Sequence, residues 1–411
     1  MKKIKLSLCI CLLLSGNLLM ASPLSISSVD DAIQYGIKNN PLIKAQFQVL
    51  EAKKVLPKKL GSLSDPKLGV RLNGTPAKKP DYSFDQKRVF VNQSFPFLGE
   101  LGRKNELGKK EVVISELDYL MTENKVVLSI QTLYYKLVLN KELIEITDKN
   151  NKILENIINI ADIKYRSGKT LQANVLKAKV SKGKLEEKIF QLNHQKVMLT
   201  EDLKKWLGLS ETELLLVDLV YPKQKKSSVP TLNKSVGSKT LMVQKAIAMK
   251  AKSDQMVRVE KDRYLPDFSA QVEYWNNSGM DNQYAGQIAM SFPWFNAKNS
   301  ASVKEAKALS ESKNDHLTDV QNSIQSILVT LLSDLETTQE TVSLYEDQIL
   351  KNAELSLSSF QKAFEVDKAS FLDYFESEKT LFSLEMDYAK LVNRTHTLQA
   401  KINSLFEKGV E

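Results

Sequence analysis

The chain has 411 residues, 42% hydrophobic and 26% charged, with a formal net charge of +9 of which three units belong to Lys2, Lys3 and Lys5. Its two cysteines, Cys9 and Cys11, fall inside an N-terminal address segment, so disulfides, thiolate chemistry and cysteine metal sites are excluded from the rest of the chain. The remaining positive excess is mild and spread along the chain, and behind an export signal it argues against a nucleic-acid partner.

Met1 to Lys5 is a basic n-region, Leu6 to Met20 an apolar h-region, and Ala21-Ser22 a plausible cleavage neighbourhood. A spanning helix needs about 20 apolar residues, and this run is interrupted by Ser15, Gly16 and Asn17. Residues 1–21 are therefore read as a removed signal peptide. The cysteines come too early in it to carry a lipid anchor. No later segment is continuously apolar over about 18 residues, so any membrane contact has to come from alternating strands.

Taken in order, the next segment predicts a helix from about Val29 to Leu60. A strand follows, in which Leu68, Val70 and Leu72 alternate with Gly69, Arg71 and Asn73. The connection from Asn73 to Gln86 opens on the turn former Asn73-Gly74. No proline occurs between Phe97 and Tyr221, and since proline costs about 3 kcal/mol inside a helix, long helices are expected there. As one helix, Glu100 to Lys164 would reach roughly 100 Å at about 1.5 Å per residue. After a break at Arg166-Ser167-Gly168-Lys169-Thr170, Leu176, Val180, Leu185, Ile189, Leu192, Leu199, Leu203 and Trp206 keep a helical spacing. Pro222 to Lys234, rich in Lys, Ser and Pro, reads as a linker.

The second half repeats this order. A helix from about Lys239 to Tyr264 precedes two alternating strands. In one, Phe268, Ala270, Val272 and Tyr274 alternate with Ser269, Gln271 and Glu273; in the other, Tyr284, Ile288, Met290 and Phe292 alternate with Ala285, Gln287, Ala289 and Ser291. The connection between them runs from Trp275 to Gln283. No proline follows Pro293. Beyond a second break at Val366-Asp367-Lys368-Ala369-Ser370, the residues Leu381, Leu384, Tyr388, Leu391, Thr395, Leu398, Ile402 and Leu405 form a coiled-coil seam. Three anchors tie the halves together: Asp65-Pro66 to Pro266-Asp267, Ser94-Phe95-Pro96 to Ser291-Phe292-Pro293, and Tyr165-Arg166-Ser167-Gly168 to Phe364-Glu365-Val366-Asp367. They lie at offsets of 200, 197 and 199 residues. The predicted organisation is a duplicated unit, 22–221 and 235–411, joined by a linker at 222–234.

The expected fold is mainly α, with long antiparallel coiled-coil helices and two β-hairpins. On pattern alone the hairpins suit a half-buried soluble sheet or a lipid-facing wall. Four strands cannot close a barrel, and open edges are not tolerated in lipid, so membrane hairpins would have to be pooled. Three copies would supply twelve strands.

Over nearly its whole mature length the chain resembles the TolC-type outer-membrane efflux family. The resemblance rests on the duplicated unit, Asn39-Asn40-Pro41, Tyr165-Arg166-Ser167-Gly168 and Trp206-Leu207-Gly208. It implies a homotrimer with a twelve-stranded β-barrel in outer-membrane lipid and an α-helical barrel in the periplasm. It also implies two partners, a periplasmic adaptor (membrane fusion) protein and an inner-membrane pump. Asp65-Pro66, Asn73, Pro76 and Gln93-Ser94-Phe95-Pro96-Phe97-Leu98-Gly99 resemble the heavy-metal-efflux branch, although Glu100 stands where that branch usually has lysine.

A passive duct needs no catalyst and no cofactor. His194, His316 and His396 are isolated, and read as surface or packing residues. The breaks are helix–helix turns; the resemblance makes them adaptor-contacting tips, at Arg166, Ser167, Gly168 and Lys169 and at Val366, Asp367 and Lys368. Asp373 and Glu376 share one helix face by their i, i+3 spacing. From spacing alone this is a solvated acidic face; the resemblance implies a pore constriction of stacked carboxylate rings, with Asn174 and Lys177 at the matching first-unit places. Phe364 and Ala369 replace a Tyr and an Arg that hold the tip closed in some members. The competing readings are a drug-efflux or type I secretion duct, a periplasmic coiled-coil adaptor, and a secreted hydrolase, for which no clustered polar site is found.

Overall fold

A computed structural model describes residues 24–74, 86–210, 215–217, 219–222, 237, 239–277, 281–295 and 297–406. The signal segment 1–21 and all of the linker 222–234 except Pro222 lie outside them.

The helix expected from Val29 to Leu60 is three: α1 (Val29–Asn39), α2 (Pro41–Lys54) and α3 (Leu56–Leu60). Proline explains both cuts. Asn40 precedes Pro41 and is extended, with ψ 124°, because the proline ring disfavours helical backbone before it. Asn40 then caps α2, its Oδ1 accepting from Leu42 N at 2.8 Å. Pro57 sits in the first turn of α3, where no donor is missed. The Asn40 amide also donates to Trp206 O at 2.7 Å. Gly208, at φ 78°, lies so close to Asn39 that a Cβ there would meet its carbonyl oxygen at 2.8 Å. Asn39-Asn40-Pro41 and Trp206-Leu207-Gly208 are thus one contact.

Strands β2 (Lys67–Asn73) and β3 (Gln86–Phe95) pair antiparallel, in the register Leu68 to Val91 and Arg71 to Arg88. Near the end of the first half lies the short strand β4 (Leu215–Val217), which pairs in parallel with β1 (Leu24–Ile26). At three residues each, these strands carry no readable alternation, and sequence reasoning missed them. Strands β5 (Asp267–Asn277) and β6 (Gln283–Ser291) extend the sheet to the order β2-β3-β5-β6, leaving β2 and β6 as edges.

The helices α4 (Glu100–Arg166) and α5 (Gln172–Leu207) form the first long hairpin, and α6 (Leu241–Lys261) precedes the second pair of strands. Helix α4 runs 67 residues unbroken, about 100 Å at the standard rise. In the second half α7 (Ala297–Leu344) gives way to a π-helical turn at Tyr345–Ile349, then α8 (Leu350–Glu365) and α9 (Phe371–Asn403). At the π turn Tyr388 donates to Glu346 Oε1 at 2.6 Å.

Packing departs from the expected stripes at two places. In α5 the buried line is Val175, Ala178, Leu185, Leu192, Leu199, Leu203 and Leu207, while Leu176 and Val180 stay exposed within the chain. Helix α9 buries two stripes rather than one seam. Leu398 and Ile402 pack on Leu332 and Leu335 of α7, whereas Met386 and Ala389 pack on Leu143 of α4 and Leu192 of α5. A helix inside a layer has neighbours on both sides, which a single heptad seam does not describe. His396 is buried on the second side, stacked on Tyr221 with ring centroids 4.6 Å apart. Burial holds its pKa below the ordinary value. No helix among the described residues is long and apolar enough to cross a membrane.

Candidate channel tip and sheet wall

The far ends of the two hairpins form the candidate tip. In the first, Gly168 takes φ 76°, and Lys169 N returns to Lys164 O at 2.8 Å. This left-handed closure caps the last turn of α4. In the second, Asp367 takes the same conformation at φ 60°, and Lys368 N returns to Ala363 O at 2.7 Å. The left-handed region costs an L-residue about 1–2 kcal/mol, and Asp is one of the few that visit it. Here its carboxylate is used. Lys164 donates to Asp367 Oδ1, and Lys169 donates to Oδ2 at 2.5 Å. These two hydrogen bonds hold the Asp367 carboxyl down to about 2.

Lys164 joins the two tips, and sequence reasoning assigned it no site role. Its side chain is 11% exposed. Its ammonium also donates to Phe364 O at 2.5 Å and lies 4.5 Å from the Phe364 ring. No signal singles it out among so many lysines. Below it, Phe364, Phe371, Tyr374 and Phe375 pack against Leu154, Ile157 and Ala161 of α4 and Val175 of α5, gluing one hairpin to the other. A cleft of about 530 Å³ between the tips is lined by Lys164, Lys169, Asn174, Asp367 and Phe371.

The other expected adaptor-contacting residues are on the outside of these turns. Arg166 is exposed and pairs with Asp162 at 2.8 Å; Ser167 Oγ donates to Lys164 O at 3.0 Å. Val366 and Lys368 are exposed. Asp373 and Glu376 do share an exposed face of α9, and the structure gives each a local partner. Asp373 closes a capping box, its Oδ2 accepting from Ser370 N at 3.2 Å and from Ser370 Oγ at 2.7 Å. Glu376 lies 3.6 Å from Lys177 of α5 and 3.2 Å from Lys379. On the inner side of the same helix Glu378 is 2% exposed, and burial pushes its carboxyl up to about 7, against a smaller opposing effect of the Asn150 hydrogen bond.

At the opposite end, alternation gives the sheet two unlike faces. One presents Leu68, Val70, Val89, Val91, Val272, Tyr284 and Ile288, all exposed within the chain. The other carries Arg71, Arg88, Asn92, Gln271, Glu273 and Gln287 in the opposite phase of the same registers. Where β6 leaves the sheet, Phe292, Trp294 and Phe295 are exposed. An isolated four-stranded sheet of this kind has an uncovered apolar wall and two unpaired edges.

Searches of protein-family profiles and of curated proteins return no match. Solved structures do match. VceC, an outer membrane protein of Vibrio cholerae, aligns over 92% of this chain and 95% of its own at TM-score 0.77 and 14% identity. CusC, described for its transmembrane channel formation, aligns over 92% of both chains at TM-score 0.80 and 14% identity. The open-state outer membrane channel MtrE of Neisseria gonorrhoeae aligns over 92% of this chain and 88% of its own at TM-score 0.73 and 10% identity.

The fold is that of outer-membrane channels. The likeness extends over nearly the whole chain. The expectation of a mainly α fold with long helices and two β-hairpins is met, and the structure joins the two hairpins in one four-stranded sheet.

Proposed function

We propose that this chain is the exit duct of a tripartite efflux system: an outer-membrane homotrimer that passively conducts cargo from an inner-membrane pump and a periplasmic adaptor. The observation that carries this reading is the four-stranded sheet with an apolar outer face and open edges, set at one end of helices about 100 Å long. Open edges are intolerable in lipid, and three copies of this sheet close into twelve strands. The two halves act as structural repeats, each giving a hairpin to the wall and a helical hairpin to the periplasmic barrel. Heavy-metal cations are the cargo to which the Gln93 to Gly99 segment points.

In this assembly the helix tips face the adaptor through Arg166, Ser167, Gly168, Lys169, Val366, Asp367 and Lys368. Asp373 and Glu376 of three chains line the constriction as two rings, an arrangement that favours cations and narrows the pore. Replacing Asp373 and Glu376 with alanine in the full-length protein is expected to raise single-channel conductance in a planar bilayer and to weaken cation selectivity. Unchanged current traces would remove the rings from the constriction. The absence of any current from the wild-type protein would remove the duct itself.

A further inference from the structure

The polar face of the sheet carries one cluster that the duct reading leaves unexplained. Arg71, Arg88 and Trp275 lie in register on β2, β3 and β5, two residues from the end of β2, at the end of the sheet remote from the helices. Between the two arginines is Glu273, whose side chain is 8% exposed and whose carboxylate oxygens lie 3.8 Å from each guanidinium. Gln271 donates to Glu273 Oε1, and Trp275 Nε1 donates to Oε2 at 2.8 Å. The Arg88 guanidinium sits 3.6 Å over the Trp275 ring and donates to Gln86 at 2.7 Å.

Arg71 is different. Its side chain is 51% exposed, with the Phe90 ring 5.6 Å beneath it. That ring lies across Gly69, where an added Cβ would come within 2.4 Å of it. The missing side chain of Gly69 lets Phe90 lie flat along the sheet, as an aromatic covering a strand glycine does. The remaining charges in this phase of the described strands are Lys67 and Asp267, one of each sign, at the helix-proximal end. The distal row thus holds two guanidiniums against one buried carboxylate, and the surplus charge is the exposed one.

Resting on the barrel reading above, in which the apolar face meets lipid and the polar face the lumen, we propose that Arg71 is the selectivity-determining residue of the outer half of the pore. Three copies place three exposed guanidiniums at one level of the lumen, a ring that favours anions. It is held rigid because Glu273 and the flanking rings fix the neighbouring side chains. The duct then carries opposite preferences at its two ends, carboxylates at the tip and guanidiniums at the mouth.

The experiment measures chloride-to-potassium permeability from reversal potentials under a KCl gradient at low ionic strength, where charge rings are least screened. The parent is the full-length channel carrying Asp373→Ala and Glu376→Ala, so that the tip does not mask the mouth. Arg71→Glu is expected to lower the permeability ratio by at least roughly two-fold, and Arg71→Gln to lower it less. Glu273→Gln, which keeps one acceptor oxygen for Trp275 and removes the counter-charge, is expected to raise it. Ratios that stay at the parent value, or that move the same way for Arg71→Glu and Glu273→Gln, would overturn the assignment. A parent that carries no current would overturn the barrel reading, and this inference with it.

Discussion

The two helical hairpins are built on one plan and charged in opposite senses. The first turns on Gly168 at φ 76° and the second on Asp367 at φ 60°, 199 residues further on. At the same offset Lys177 and Lys179 of α5 answer Glu376 and Glu378 of α9, and Asn174 answers Asp373. The backbones match, while one tip is basic and the other acidic, so the pair attract. The contacts follow this sign: Lys164 and Lys169 reach Asp367, and Lys177 reaches Glu376.

The largest test of that pairing is Lys164→Ala. It leaves the Phe364 carbonyl with only the Asp367 backbone N–H, at 3.3 Å, and the Asp367 carboxylate with Lys169 alone. Losing the buried lysine stem together with its charge-assisted hydrogen bond to the Phe364 carbonyl is expected to destabilise by about 3 kcal/mol, read by urea denaturation with far-ultraviolet circular dichroism. Lys164→Met, which retains the packed stem on Phe364, is expected to lose less.

Next in size is Glu378→Gln, which asks how far the acidic character of α9 strains the contact. The folded carboxyl titrates at about 7, against an ordinary value of 4.5. The folded state therefore holds the proton more tightly, and stability falls as pH rises through this window, because the charge must then be buried. Glutamine removes that burden. At about pH 8 the variant is expected to be more stable than the wild type by about 2 kcal/mol: the full shift at about 1.4 kcal/mol per pKa unit would be worth about 3.5 kcal/mol, and the cost of burying the glutamine amide returns part of it. Below about pH 5 the gain disappears. Denaturation curves at both pH values check the sign.

The smallest expected effect is Gly168→Ala. A Cβ at Gly168 meets nothing within 4 Å, so only backbone strain is felt, about 1 kcal/mol. Gly168→Asp would copy the second tip into the first without its lysines. It is expected to recover part of that loss in a thermal-melt comparison, since Asp visits the left-handed region more readily than Ala, which separates tolerance of the conformation from the ion pairs that hold Asp367.

Much of this architecture was legible because proline, glycine and alternation are strong local signals. The proline-free run from Phe97 to Tyr221 located α4 and α5, and Asn73-Gly74 marked the first strand's end. What was not legible depends on neighbours distant in sequence. The two buried stripes of α9 reflect separate partners on α7 and on the α4–α5 pair, and no single heptad records both. The three-residue strands β1 and β4 find each other across nearly the whole first half. At the tip, the turns and the acid pair could be read, whereas Lys164 became visible only once Asp367 was placed beside it. The capping role of Asp373 was readable in Ser370-Phe371-Leu372-Asp373 and was overlooked.

The unpaired edges of β2 and β6 set a timetable for biogenesis. Each chain can complete its helical hairpins alone, since their hydrogen bonds close within a segment. In the proposed trimer its sheet is not completed alone: the last rungs on both edges come from other chains. Maturation in the proposed trimer therefore adds concentration-dependent encounters between chains to a first-order folding process, and is slow when chains are scarce. Until neighbours arrive, each edge is a template for wrong pairing, and β2, translated some two hundred residues before β6, is exposed the longest. A cell making this protein would need an escort for that strand, or a membrane machine that withholds insertion until three sheets are at hand.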